Sequence, residues 1–490
     1  MTTAGPDIPD TTTFIPDLLY SGGRFERGRA LVCGREGRVV SVVRVEEVSE
    51  QSEAVRLRKR AMLPGMVNAH SHAFQRVIRG RTEYRGSSVS DSFWTWREMM
   101  YAAAQRLSPE DIYDASRMAF MEMLLSGITS VGEFHYLHRT PEGGEYDDPN
   151  LLSKEVVRAA RDVGLRIALL RVAYARAGFQ KEPDPRQRRF IEPDPADFIR
   201  HAESLARSLD ADPHAWPGVA PHSVRAVPVE YLRSLREYSW MRHLPLHMHV
   251  AEQPAEVEAC VAETGRTPVA LLADEGFLSP RFTGVHAVHV TPEEVALLAR
   301  ARACVCACPT TERNLGDGVV PADALLRAGV RVALGTDSHA QIDLLEDARE
   351  LEYHLRLTTL RRNVLARGAG DESRAGGVSE TAPDEGRGMS ALAARLFECA
   401  TAAGAESIGA PTAAFEPGGA ADFFTVDLDD PTIAGAGAED LLPAIVFSLS
   451  RAAVRETAVG GRLLTESGRH PAQDEIVSRF ASLQRKLWGT

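Results

Sequence analysis

Apolar runs of strand length recur along this chain, separated by stretches with helical periodicity. The opening run is Leu63-Pro-Gly-Met-Val-Asn-Ala-His70-Ser-His72. Further strand candidates are 128–136, 166–174, 216–223, 244–252, 282–290, 303–308 and 330–338. Amphipathic stretches at 109–126, 152–163, 228–238, 292–301 and 344–365 fall between them. Counting the opening run, this is the alternation that a (β/α)₈ TIM-like barrel requires, here over residues 63–408. A doubly wound open sheet would carry a Gly-rich phosphate loop after its first strand, and none is present.

Both ends of the chain read differently. Residues 12–60 show short strands and turns, with Ala30–Cys33 and Gly37–Val43 the clearest, and nothing helical. The texture returns at 421–427 and 453–464. Neither end can bury a core alone, so residues 1–62 and 409–490 are expected to pair into one small β-sandwich domain. The polar, Gly-rich stretch Gly368–Gly388 reads as a mobile loop without a catalytic role. The basic, Pro-rich segment 179–195 follows the third strand candidate on the side where barrel active sites lie, and is expected to act as a lid.

Composition narrows the partners. A net charge of −12 argues against nucleic acid and anionic membranes. No apolar run reaches the roughly 18 residues of a spanning helix. The first residues show no basic segment leading into an apolar one, so a cytoplasmic protein is expected. The six cysteines suggest no disulfide framework. Cys304, Cys306 and Cys308 alternate along one strand; they read as small buried apolar groups, with soft metal ligation the alternative.

The candidate chemistry sits at strand ends. His70 and His72 are spaced i, i+2, so a strand points both imidazoles to one face. The fifth strand candidate carries His247 and His249 followed by Glu252, the sixth His286 and His289, the eighth Asp337 and His339. In a barrel these C-terminal strand tips converge. Two histidines from the first strand, one from the fifth and an aspartate from the eighth make a three-nitrogen, one-oxygen site for a divalent ion.

This pattern resembles the amidohydrolase superfamily, and within it the metal-dependent aminohydrolases. The resemblance implies His70, His72, His249 and Asp337 as metal ligands, and Glu252, His286 and Asp337 as catalytic groups. It places the ligand at the histidine three before the glutamate, which leaves His247 structural, and His138, His289 and His339 as hydrogen-bonded bystanders, with His339 the nearest of them to substrate. Superfamily members with two metals generally bridge them with a lysine at the end of the fourth strand. The only lysines here are Lys59, Lys154, Lys181 and Lys486, so one divalent ion is expected. Zinc stands first, and three imidazoles with a carboxylate also suit iron or manganese. Such an ion makes hydroxide available at neutral pH, Asp337 and His286 can take its proton, and Glu252 can protonate the departing nitrogen.

Other segments resemble a narrower group. His70-Ser-His-Ala-Phe-Gln75-Arg, Asp91-Ser-Phe-Trp-Thr-Trp-Arg97-Glu, Gly132-Glu-Phe-His-Tyr136 and Cys308-Pro-Thr-Thr-Glu-Arg-Asn-Leu-Gly-Asp-Gly318 look like the formimidoylglutamate deiminase family. Its members hydrolyse N-formimino-L-glutamate to N-formyl-L-glutamate and ammonia in histidine degradation. That resemblance implies substrate contacts from Gln75, Arg97, Tyr136, His222 and Arg225, and a homodimer. Guanidinium forks suit the two carboxylates of that substrate. Phe93, Trp94 and Trp96 around Arg97 are expected to be buried as core or pocket wall. Two alternatives stay open: an aminohydrolase of the same superfamily acting on a guanine-like or other heterocyclic amine, and a catalytically silent metal-binding barrel, which would lack Glu252, His286 or Asp337.

Overall fold

The computed structural model describes residues 11–48, 53–84, 92–366, 388–411 and 414–489. Eight parallel strands follow one another in chain order around a barrel: Met66–Ser71, Ile128–His135, Arg166–Ala173, Ala215–Pro221, Leu246–Val250, Phe282–His286, Cys304–Ala307 and Arg331–Leu334. The second and third are buried at every position, as strands covered on both faces must be. The helices between them start where sequence chemistry puts them. Ser108 and Thr291 each close a capping box, with proline in the first turn.

The barrel closes through the tips that carry its histidines. Asp337 donates its N–H to the His70 carbonyl at 3.0 Å, and His72 donates its own to the Asp337 carbonyl at 3.1 Å. Ser71 and Asp337 are thereby bridged in parallel register. Gly335 lies against this seam: a Cβ there would stand 2.8 Å from His70 Cβ and 3.0 Å from the His70 carbonyl oxygen. Several strands end earlier than the apolar runs suggest. The backbone turns to positive φ at Ala251 (50°), His286 (71°), Ala287 (50°) and Asp337 (43°). Left-handed backbone at bulky residues is strained and persists only where surrounding contacts impose it.

Both chain ends build a second sheet of mixed direction. Its main path runs Arg462–Thr465, Val454–Val459, Phe423–Asp427, Glu53–Pro64, Thr11–Ser21, Arg29–Gly34 and Val39–Arg44, with Arg24–Glu26 paired to the side. Its strands are joined in one pairing path, with register shifts along it and an apolar cluster of Phe14, Leu31, Met62 and Phe423 of its own, so the small β-domain expected from both chain ends is present. The long strand Glu53–Pro64 pairs in parallel with Thr11–Ser21 and antiparallel with Phe423–Asp427, then leads through Gly65 into the first barrel strand. A buried ion pair ties sheet to barrel. Arg166 donates from Nε (2.7 Å) and Nη2 (3.1 Å) to Asp422, which also accepts from the Gly460 N–H.

The stretch 409–490 supplies more than strands. Helix Gln473–Trp488 lies on helix Pro109–Leu124, with Lys486 paired to Asp111, Arg479 to Asp114 and Arg117 to Glu475. Its end accepts a hydrogen bond at the Leu487 carbonyl from Arg106 (2.8 Å). Helix Leu344–Thr359 is shorter than expected, because Leu360 turns left-handed at φ 54°. The loop read at Gly368–Gly388 lies, up to 387, outside the described residues.

Segment 179–195 is fastened to the barrel, not poised above it. Arg171 of the third strand grips Glu192 with two hydrogen bonds (2.6 and 3.1 Å), and His201 adds a third at 2.9 Å. Arg189 is fully buried and donates to the carbonyls of Ala104, Leu107 and Arg139.

Two substitutions test these supports. Asp422→Ala strands the Arg166 guanidinium in the interior and should cost about 3–5 kcal/mol, read as a lower urea midpoint. Gly335→Ala forces the seam apart at His70 and should cost about 1–3 kcal/mol in the same measurement, with a lowered metal content.

Candidate active site

The seam fixes the backbones of His70, His72 and Asp337, and their side chains meet at its centre. His70 Nε2 stands 3.2 Å from His72 Nε2 and 3.1 Å from His249 Nε2. Asp337 Oδ1 lies 3.3 Å from the first and 3.2 Å from the second. Donor atoms about 2.1 Å from a tetrahedral ion are roughly 3.4 Å apart, so these separations suit one small divalent cation. Proton positions agree. His72 Nδ1 hydrogen-bonds the Phe134 carbonyl at 2.9 Å, which places that ring's hydrogen on Nδ1 and leaves Nε2 a bare lone pair facing the cluster. Burial pushes His70 down to about 3 and His249 well below the ordinary histidine value, so both are neutral donors.

The expected catalytic groups stand beside this cluster. His286 Nε2 is 3.7 Å from Glu252 Oε1 and 3.9 Å from Asp337 Oδ2. Burial disfavours a charged His286, but the carboxylates of Glu252, Glu312 and Asp337 outweigh it and hold the imidazole well above its usual value. Burial raises Glu252 in turn, against the pull of His286 and Arg225. A carboxyl and an imidazole shifted toward each other in this way can exchange a proton at little cost.

Two carboxylates that the sequence analysis quoted without a role complete the frame. Glu133, in the fully buried second strand, accepts from Ser71 Oγ (2.5 Å) and from the Ala73 N–H (2.7 Å), which fixes the chain on both sides of His72. Burial raises its carboxyl to about 7. Glu312 accepts the Cys308 N–H at 2.8 Å and lies 3.3 Å from His286 Nδ1, so it sets the orientation of that ring. For Glu133 the available signal was a charge inside a strand-length apolar run, since buried glutamates are rare without a partner; Glu312, in helix Pro309–Leu315, carried no such mark.

A cavity of about 40 Å³ opens on the cluster, and all five expected substrate residues line it: Gln75, Arg97, Tyr136, His222 and Arg225. Gln75 Nε2 donates to the Tyr136 hydroxyl at 2.9 Å. His222 packs its ring 4.8 Å from that of His249. Arg97 extends from helix Phe93–Arg106 and donates to the Tyr174 hydroxyl at 3.0 Å. Arg225 reaches in from beyond the fourth strand, its Nε buried without a partner. Among the described residues no carboxylate lies within ion-pair distance of Arg97 or Arg225. Phe93 and Trp96 line the cavity as expected, whereas Trp94 is 39% exposed and covers Arg97 from outside.

The remaining histidines are hydrogen-bonded elsewhere: His247 to the Ser407 carbonyl, His138 to that of Val172, His289 to that of Asp317. His339 sits fully buried between Ser71 and Thr336, behind the ligands and away from the cavity. The alternating cysteines are buried, and Cys308 reaches within 4.8 Å of His286 and Asp337. No helix among the described residues is long and apolar enough to cross a membrane.

Comparison with known proteins agrees with this geometry. The amidohydrolase family model matches residues 61–464. A formimidoylglutamate deiminase of Pseudomonas aeruginosa is 38% identical over 428 residues, covering 87% of this chain and 89% of that protein. A 5-methylthioadenosine/S-adenosylhomocysteine deaminase of Natronomonas pharaonis is 29% identical over 410 residues, with 83% and 81% covered. The crystal structure of an amidohydrolase from Brucella melitensis superposes with a TM-score of 0.86 at 33% identity, over 97% of this chain and 99% of that one. An adenosine deaminase from Xanthomonas campestris with bound zinc shares the fold, at a TM-score of 0.79 and 21% identity. The family match over residues 61–464, the 38% identical relative covered along most of its length, and the barrel with its convergent strand-tip histidines and aspartate together make this chain a member of the amidohydrolase family, a hydrolase acting on carbon–nitrogen bonds.

Proposed function

We propose that this protein hydrolyses the formimino group of N-formimino-L-glutamate, releasing ammonia and N-formyl-L-glutamate, with one divalent ion held by His70, His72, His249 and Asp337. The observation that carries the substrate is the pair of guanidiniums, Arg97 and Arg225, facing the cavity without a carboxylate partner among the described residues. Charge buried unpaired in a free pocket awaits an anionic ligand, and guanidinium forks fit carboxylates. The Pseudomonas relative supports the same reading through its name. A neutral heterocyclic amine would leave both guanidiniums without a direct ion-pair partner among the described residues.

The bound ion supplies Lewis acidity and makes water nucleophilic near neutral pH, zinc being the first choice for this donor set. The chain's own groups do the rest. Arg97 and Arg225 hold the two carboxylates, and Gln75 with Tyr136 shapes the wall beside the formimino carbon. Asp337 Oδ2 accepts the proton of the attacking water. His286, held charged between the two carboxylates, gives its Nε2 proton to Glu252 and is recharged from Asp337, and Glu252 delivers that proton to the nitrogen that leaves. His222 and Phe93 keep bulk water from the reacting carbon. The protein works as a cytoplasmic enzyme of histidine degradation and, by the family's habit, as a homodimer.

Four outcomes check this reading. Ammonia release is expected with N-formimino-L-glutamate and not with guanine or adenosine, and the reverse pattern would overturn the substrate. Glu252→Gln should keep its metal by elemental analysis while kcat falls about 10²–10⁴-fold. Arg97→Ala and Arg225→Ala should each lower kcat/KM on the order of 10²-fold, and dialysis against a chelator should abolish turnover until a divalent ion is restored.

A further inference from the structure

The strap formed by residues 185–192 touches none of the metal ligands and does not line the cavity, yet its bonds converge on the helix that carries Arg97. Gln187 is 2% exposed and donates from Nε2 to two tyrosine hydroxyls, Tyr101 at 2.6 Å and Tyr174 at 2.9 Å. Tyr174 in turn accepts from Arg97 Nη2 at 3.0 Å, and the Arg97 guanidinium lies over the Tyr101 ring, 5.1 Å from its centroid. One side-chain amide therefore joins the two aromatic groups that hold the same cation.

The neighbours of Gln187 fix the strap to the same helix. Arg186 pairs with Glu98 and accepts at its carbonyl from Gln105 Nε2 (2.9 Å). Arg189 binds the helix's last carbonyls, among them that of Leu107 at 2.8 Å. Phe190 packs against Tyr136, Tyr174 and Tyr101, with centroid distances of 5.1, 5.8 and 5.9 Å. At the far end Glu192 is locked to Arg171 of the third strand. The helix is thus pinned to the barrel wall through the strap.

An arginine side chain has several rotatable bonds, and a free one would have to be ordered each time substrate binds. A guanidinium held in place beforehand spares that entropy and admits one carboxylate direction only. We propose that Gln187, acting through Tyr174 and Tyr101, is a positioning residue that sets the pose of Arg97 and thereby the selectivity for the substrate carboxylate that Arg97 meets. This rests on the functional reading above, in which Arg97 binds substrate.

A double-mutant cycle with N-formimino-L-glutamate tests it. Gln187→Leu and Tyr174→Phe should each raise KM about tenfold while kcat stays within about twofold, because a hydrogen bond serving a charged group is lost outside the reacting centre. In an Arg97→Ala background either change should add nothing further. Tyr174→Phe removes a single oxygen and keeps the test open if Gln187→Leu folds poorly. Losses that add to that of Arg97→Ala, or that fall on kcat, overturn the positioning role and leave the substrate assignment standing. Wild-type protein that releases no ammonia from N-formimino-L-glutamate overturns the substrate assignment, and the positioning role with it.

Discussion

The structure depends on how its barrel is closed. A parallel barrel needs its first and last strands to meet, and here they meet through the backbones of His70, His72 and Asp337. The residues that join the sheet into a cylinder are the ones whose side chains converge on the cation site. Their rings need no flexible linker to find each other, since register places them. Glycine is required at Gly335 for the same reason: the two strands pass too close for a methyl group. A site built this way is rigid before any ligand arrives, which is the condition for electrostatic catalysis without reorganisation.

Rigidity is bought with strain and buried charge. His286 and Asp337 sit at positive φ, which re-aims their side chains into the mouth just as the strands end. Glu312 and Glu133 are buried carboxylates that hold the neighbouring backbone and ring in place. Each would be costly alone, and each is satisfied by donors from a segment it must keep in position. The same arrangement recurs at Glu192 with Arg171 and at Asp422 with Arg166, where ion pairs fasten a loop and a domain to the third strand.

Much of this was legible from residue spacing. The i, i+2 pair His70 and His72 gave a direction as well as a composition, and the alternation of apolar runs with helical stretches gave the barrel and the end of it where Asp337 and His286 would lie. The small sheet was legible as strands but not as one sheet, because the pairing that joins its two halves links positions more than 350 residues apart, such as Phe424 and Leu63. The helices Leu441–Ser448 and Gln473–Trp488 were missed because their apolar faces answer to barrel helices and not to neighbours in the chain. Segment 179–195 looked like a lid because it is polar and basic; the partners that hold Arg188 and Arg189 are backbone carbonyls, which leave no mark in sequence. Trp94 ran against expectation because a helix has an outer face even beside a pocket.

The pairing of strand Glu53–Pro64 with Phe423–Asp427 has a consequence for how the molecule is made. When a ribosome has synthesised the barrel through its eighth unit, His70, His72, His249 and Asp337 are already in the nascent chain, but one edge of that long strand still waits for a partner. Its last four positions, Ala61, Met62, Leu63 and Pro64, are all buried in the finished protein, and an apolar strand edge is open to wrong pairing until its partner arrives. The distal strands therefore cover the stretch that leads into His70 and His72.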